Sequence, residues 1–370
     1  EVIPPSGLSG TIFDYDLRGR PTLITTGERS TGFSYADSPT YHQVAITNYS
    51  TDVGNRVSTL HYDALDRLVQ ADRPDGYSVI YEYDANGNRT AVRVPTDTIG
   101  TYIDHTFTYN LANLNDFYTM PASGSFEYVY DNDRYLRDVY FPSGTRHIHY
   151  DIGSARINQI QTPEFTINMT YINGTQVQNI TRGSESITYG YDGSLITSDT
   201  RQGIINQSLS YVYNNDLRLE GLTYAGISIG YTYDNDGLLT GSGTFAVTRN
   251  AGTGLPEAVS DGTGVFDRAF NSFAELSGQT ATINGNMVHS WTLGRNDLGK
   301  IDSRLEITGG TTTNYAYTYD LMGRLLTVTD TVASEVIEEY QYNANGSRTY
   351  ERNTLKGTDR NFTYSISNED

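Results

Sequence analysis

The chain has 370 residues, a formal net charge of −19 at neutral pH and no cysteine. So acidic a chain lacks the cationic surface that drives binding to phosphate backbones, and without cysteine no disulfide framework exists, which leaves the redox compartment open. No run of 18 or more apolar residues occurs, so no membrane-spanning helix is expected in this segment. Aromatic surface comes from 31 tyrosines against 12 phenylalanines and one tryptophan, side chains that keep one end wet, and a thick aliphatic core is not expected.

Along the chain one short pattern recurs. It opens as Phe13 to Ile24 (FDYDLRGRPTLI). Its marker tyrosine then returns at Tyr62, Tyr83, Tyr109, Tyr130, Tyr150, Tyr171, Tyr191, Tyr213 and Tyr233, and later at Tyr319, Tyr342 and Tyr364. Most steps are about 20–23 residues, the spacing of a small repeated supersecondary unit. Degenerate copies fill the interval: Phe266 to Gln279 keeps aromatic spacing before an Asn, and Trp291 to Ile301 keeps Arg-Asn-x-x-Gly-Lys. The first of these carries Phe266, Ala269, Phe270 and Phe273 at helix-like spacing, but the repeat register predicts a strand pair. A Gly- and Thr-rich irregularity is expected within residues 240–264, and otherwise the array runs as one domain over residues 1–370. The opening EVIPPSGLSG has neither the basic nor the apolar region of a signal peptide, and the closing NFTYSISNED breaks off inside a copy, so both ends read as cuts through a longer protein.

Each copy predicts a β-hairpin. Tyr317 and Tyr319 are two apart and share one face of a strand, with Thr318 on the other. Asp320 opens the turn by accepting backbone hydrogen bonds, Gly323 supplies the left-handed residue, and Arg324 starts the return strand. The same roles are expected of Tyr62, Asp63 and Arg67; of Tyr83, Asp84, Gly87 and Arg89; of Tyr233, Asp234 and Gly237; and of Tyr342, Asn343, Gly346 and Arg348. Asn stands for Asp at Asn110, Asn214 and Asn343, which keeps the turn chemistry without the charge. Among 25 basic residues only Lys300 and Lys356 are lysines. A guanidinium can stack on a tyrosine face and fork onto the turn Asp, as an ammonium cannot.

Tyr-Asp-x-x-Gly-Arg with a second tyrosine two residues earlier resembles the YD repeat of the Rhs family, found in bacterial Rhs toxins, in insecticidal toxin-complex shells and in animal teneurins. The better copies are YDALDRLVQ (Tyr62 to Gln70), YEYDANGNRT (Tyr81 to Thr90), YTYDNDGLLT (Tyr231 to Thr240), YTYDLMGRLLTV (Tyr317 to Val328) and YQYNANGSRT (Tyr340 to Thr349). The resemblance implies an all-β fold in which hairpins join edge to edge into one long antiparallel sheet spiralling into a hollow shell. Such a coil would protect strand edges that a flat ribbon leaves open to aggregation. Tyrosine rings stacked from hairpin to hairpin are expected to add about 0.2–1 kcal/mol per pair. The family's C-terminal plug is not recognisable, and no residue of its self-cleavage can be carried over.

Catalytic groups are sparse. Of the histidines His42, His61, His105, His147, His149 and His289, the pair in SGTRHIHYD is the best placed. There His147 and His149 share one strand face, while Arg146, Ile148 and Tyr150 take the other. Two imidazoles at that spacing could hold a metal or face a substrate carboxylate, although no third ligand is evident. The DND at Asp131 to Asp133 and the DNDG at Asp234 to Gly237 resemble the start of a calcium loop without its later ligands, and both fall at expected turns. Asn-x-Ser/Thr at Asn173 and Asn361 follows from composition, and no phosphate loop, nucleophile elbow or zinc-helix motif is present. No cofactor is expected.

The primary expectation is a structural shell segment of a secreted or cell-surface bacterial protein, enclosing a toxin-like cargo or serving as scaffold. Its partners would be the rest of its own polypeptide or identical neighbouring chains. Two alternatives are a carbohydrate-binding surface engaging glycans through exposed tyrosines, and a polysaccharide-cleaving enzyme using Tyr, His and Arg.

Overall fold

The computed structural model describes residues 1–121 and 124–364; the final residues of the broken last copy lie outside that range. All regular structure among the described residues is β-strand: 33 strands, with no helix. Every ladder resolved is antiparallel and joins neighbours in sequence, from Thr11–Tyr15 on Pro21–Thr26 to Arg348–Asn353 on Thr358–Asn361. The stretch predicted as a strand pair forms Gly264–Phe270 and Leu276–Ile283. Within residues 240–264 the strands are short, Leu239–Ser242, Phe245–Arg249 and Pro256–Ser260.

Two compact units partition the chain. The first gathers residues 1–107, 120–121 and 248–364; the second holds residues 108–119 and 124–247. In both, alternate hairpin ends differ in kind. One end of each strand carries the YD turns, and the other carries connections of varied length, from the two-residue Gly183–Ser184 to the four-residue Gly203–Asn206.

The turn geometry follows from the residues placed there. Asp320 N donates to Arg324 O and Gly323 N donates to Asp320 O, closing a four-residue loop whose last position, Gly323, has φ of +81°. That conformation belongs to the turn rather than to glycine. Asp66, Asn113, Arg134, Leu217 and Ala274 fill the same slot in other copies with φ between 58° and 70°. Just past each turn the register slips: Thr318 faces Thr327, but Tyr319 faces Leu325. This β-bulge inserts one residue and interrupts the ladder on the return strand.

Little of the chain is fully buried. Among the described residues the buried apolar side chains include Ala91, Val139, Ile148, Ala281, Val328, Ile337 and Ala344, and the largest fully buried side chain is the polar Asn353. Asn353 is satisfied, donating to Glu338 Oε1 at 2.7 Å and accepting from Lys356 N at 2.9 Å. Sheets with so thin a core rely on ladders, bulge chemistry and side-chain bridges between hairpins.

Candidate functional site

Three kinds of contact tie hairpin to hairpin. The first lies inside the turn. Arg67 Nε donates to Asp63 Oδ2 at 2.8 Å, its Nη1 reaches the carbonyl of Asp84 in the next turn at 3.0 Å, and its guanidinium lies 4.9 Å from the Tyr83 ring centroid. Arg324 repeats this with Asp320 (2.6 Å), Asn343 O (3.4 Å) and the Tyr342 ring (4.7 Å). Arg20 lies on Asp16 and 4.0 Å over Tyr35. One arginine thus holds its own turn, the next turn's carbonyl and the next tyrosine. The Asp63 carboxyl is held below the usual carboxylate range first by the Arg67 side chain and then by backbone donors.

The second contact adds to ring stacking, which occurs between hairpins at Tyr118 and Phe126 (5.9 Å) and at Tyr135 and Tyr150 (5.1 Å). Repeat tyrosines meet the preceding hairpin through the hydroxyl, which donates to a backbone carbonyl. Tyr35 reaches Pro21, Tyr83 Leu68, Tyr130 Asn115, Tyr150 Leu136, Tyr171 Ile157 and Tyr191 Val177. Tyr213 reaches Ile196, Tyr233 Leu219, Tyr319 Ile301, Tyr342 Leu325 and Tyr364 Arg348, and all these bonds measure 2.6–3.0 Å. The acceptors share one address. Leu68, Leu136, Ile157, Val177, Ile196, Leu219 and Leu325 each sit opposite the preceding repeat's tyrosine at the bulge. The bulge interrupts the ladder, and the next tyrosine supplies a donor there.

The third contact is a seam within the first unit, between chain segments about 250 residues apart. Arg29 forks onto Glu275, Nη1 to Oε1 and Nη2 to Oε2 at 2.8 Å each, while stacking 3.8 Å from Phe273. Glu275 also accepts from Asn271 at 2.8 Å and lies 3.4 Å from Arg295. These cations and the amide draw its carboxyl down to about 2, the Arg29 fork contributing most. Asp297 accepts from Ser50 Oγ and Thr51 N, both at 2.6 Å. Burial opposes its ionisation, yet these donors hold the carboxyl below its ordinary value. Ser9 N donates to Ser272 O, Arg56 to Asp320 O, Arg73 to Ala344 O, and Ala344 N to Asp97. The opposite-end connections of the early hairpins therefore dock on the YD turns of the late ones, with Ser272, Asp297 and Ala344 all at the second turn position. Sequence reasoning singled out Asp320 and Phe273 for their places in the repeat, but it missed that they join this seam and missed the rest of its residues.

The strand Gly144–Tyr150 carries the candidate catalytic group. Ile148 is buried, and Arg146 and His149 are exposed. His147 Nδ1 lies 2.7 Å from Asp138 Oδ1 on the adjoining strand, and Arg137 Nε donates to the other carboxylate oxygen at 2.8 Å. Burial raises the Asp138 carboxyl, but His147 and Arg137 together bring it below its ordinary value. Tyr150 donates its hydroxyl to Leu136 O and serves as a bulge cap. Arg146 faces Val139 across the ladder and His149 faces Gln159, so the four residues do not converge on one point. The hairpin register Asp138 to His147 was the available signal for the carboxylate–imidazole pair. A like pair joins His61 and Asp72 at 2.6 Å. The calcium-like Asp131 and Asp234 each accept from the backbone two and four residues on, at 2.8–3.0 Å, as Asx turns do.

The teneurin YD-shell family model matches residues 2–365. The chain belongs to the teneurin YD-shell family. Among solved structures, a Tc holotoxin pore of Photorhabdus luminescens has a TM-score of 0.77 at 12% identity, covering 97% of this chain and 22% of that one. A crystal structure of TcdB2-TccC3-TEV gives 0.78 at 13% identity, covering 98% and 22%, and one of TcdB2-TccC3-Cdc42 gives 0.75 at 12%, covering 96% and 22%. The chain therefore spans under a quarter of the length of those chains. No curated protein matches it.

Within the YD-shell repeat two arginines stand one place off. The position four after the turn opener holds Asn88, which donates to Asp84 Oδ2 at 2.9 Å, and Ser347 after Asn343. Arg89 and Arg348 come one residue later and lie over the first aromatic of the next copy, Phe107 and Phe362, rather than forking onto the turn opener. Arg89 lies 5.6 Å from Phe107, and Arg348 pairs with Glu351 at 3.0 Å. The Asp-Arg clamp and the Asx turn can be separated by mutation at Asp320. Asp320→Asn is expected to cost under about 1 kcal/mol, because the amide oxygen still accepts from the backbone. Asp320→Ala, which strips turn and clamp together, should cost about 1–3 kcal/mol by urea unfolding. Equal losses in the two variants would assign the residue's value to charge alone.

Proposed function

We propose that this YD-shell segment is wall: part of a longer secreted or cell-surface protein whose shell encloses a polypeptide cargo, with no catalysis of its own. One observation carries the reading. The tyrosine hydroxyls, arginines and turn carboxylates that could serve chemistry are engaged in joining each hairpin to the last, from Tyr35 to Tyr364. Tyrosines committed to bulge caps are poor general bases, which counts against the polysaccharide-cleaving reading. His147 is held by Asp138, and Tyr150 by Leu136. Membership of the shell family and the fold shared with Tc toxin chains support the enclosure.

The test uses the full-length protein. Segments adjoining the shell should resist a broad-specificity protease under native conditions and become cleavable once mild acid or denaturant opens the wall. Cleavage of those segments at the same rate before and after opening would defeat enclosure and leave an open scaffold.

A further inference from the structure

The dipeptide Asn-Gly occurs at Asn86, Asn173, Asn284 and Asn345. It is chemically fragile, because the glycine nitrogen, unhindered by a side chain on its own residue, can attack the asparagine amide carbon. The fold gives the copies unequal freedom to do so. Asn86 and Asn345 sit in YD turns, where Gly87 N donates to Asp84 O at 3.1 Å and Gly346 N to Asn343 O at 3.0 Å, so the attacking nitrogen is held by its hydrogen. Asn173 and Asn284 lie at hairpin tips, both exposed and both left-handed, with φ of +53° and +50°. Among the described residues neither Gly174 N nor Gly285 N donates to a carbonyl, but the two tips differ in slack. Asn284 and Gly285 fill a tight loop between the paired Ile283 and Asn286, and Asn284 N is tied to Thr263 O at 2.9 Å. Asn173 opens the wider exposed loop 173–175, between strands Thr166–Ile172 and Gln176–Arg182, and has room to rotate for ring closure.

A cation completes the setting at Asn173. Arg156 Nε donates to the carbonyl of Gly174 at 2.6 Å, and among the described residues Arg156 has no ion-pair partner. Its uncompensated charge therefore stands at the residue whose nitrogen becomes anionic as it loses its proton. We propose that Asn173 is a site of spontaneous deamidation promoted by Arg156, while the YD turns protect Asn86 and Asn345. Gly174 N gives up its proton and bonds to Asn173 Cγ. The Cγ–Nδ2 bond breaks, and that nitrogen leaves as ammonia with the proton. Water then opens the cyclic imide at either carbonyl, leaving aspartate or isoaspartate. Each product adds a negative charge beside Arg156, and isoaspartate also lengthens the main chain of the loop by a methylene. The inference does not depend on the cargo reading.

The test follows the chain as it ages. Folded protein is held in mildly alkaline buffer, sampled over time, digested and read by mass spectrometry with fragmentation that separates aspartate from isoaspartate. Asn173 should convert at least about tenfold faster than Asn86 or Asn345, the factor that a donated hydrogen bond supplies, with Asn284 between them. In concentrated urea the rates should draw together, because the local dipeptide is the same. Arg156→Gln should slow Asn173 severalfold and leave the other sites unchanged. If Arg156 only held the loop still, its loss would free the loop and speed the reaction instead. Should that variant fail to fold, raised salt gives the same reading on the native chain, since it screens an exposed charge and should slow Asn173 alone. Equal rates at all the sites in the folded chain, a YD-turn asparagine converting first, or an Asn173 rate left unchanged or raised by Arg156→Gln, or by salt in its place, would each overturn the proposal.

Discussion

Glu275→Gln is expected to lower stability at neutral pH and to remove Glu275's share of the protein's sensitivity to acid. The carboxylate receives the Arg29 fork and the Asn271 amide, and its pKa falls from 4.5 to about 2 in the folded state. A group depressed on folding adds stability that is whole above its unfolded value and is lost as pH falls through the folded one. The window is therefore from 4.5 down to about 2. At about 1.4 kcal/mol per pH unit the shift caps the contribution at roughly 3 kcal/mol. Glu275 is 28% exposed and Arg29 24%, and solvent screening reduces the figure to about 1–2 kcal/mol. Urea midpoints measured down this pH range should fall steeply for wild type and less for Glu275→Gln. Arg29→Lys should lie between them, since an ammonium cannot reproduce the fork. Parallel acid profiles for wild type and Glu275→Gln would mean that the seam does not hold the first unit together.

The contrast between seam and turn marks how far the sequence could be read. Tyr-x-Tyr-Asp with Gly or its substitute was enough to place hairpins, because turn chemistry is local: the Asx acceptor, the left-handed residue and the returning arginine lie within five positions. The same locality made Phe266 to Gln279 readable as two strands despite its helix-like spacing. The seam is a different matter. Arg29 and Glu275 are 246 residues apart and Arg73 and Ala344 271, and nothing local to either residue names its partner. Backbone atoms at Ser272, Asp320 and Ala344 supply much of the contact, and backbone leaves no mark in a sequence. Arg89 and Arg348 show a subtler limit. A one-residue slip against the turn is nearly invisible in a motif, yet it trades the fork onto the turn carboxylate for a place over the next copy's first aromatic ring. His147 looked isolated because its partner Asp138 lies across a hairpin, and only the register joins them.

The tyrosine is where motif and mechanism part most clearly, and three conservative changes decide between them. Ring stacking predicts that phenylalanine serves as well as tyrosine. The hydroxyl cap predicts that it does not, because the carbonyl at each bulge would lose its phenol donor while the ring stayed in place. Tyr83→Phe, Tyr150→Phe and Tyr319→Phe remove the bonds to Leu68, Leu136 and Ile301. Each is expected to cost about 1 kcal/mol, and three well-separated sites should sum to about 3 kcal/mol. Tyr41→Phe, on a half-exposed side chain, is the neutral control. The caps also carry a pH signature. Burial raises the phenol pKa of Tyr83, Tyr150 and Tyr319 above the ordinary phenol value of 10.0. A raised folded value adds stability that is whole below the unfolded value near 10.0 and is lost as pH climbs through the folded one, so wild type should weaken in alkali and the triple variant less so. A triple variant that unfolds with wild type at neutral pH and shares its alkaline profile would return the repeat tyrosine to a packing role and leave the bulge carbonyls to solvent.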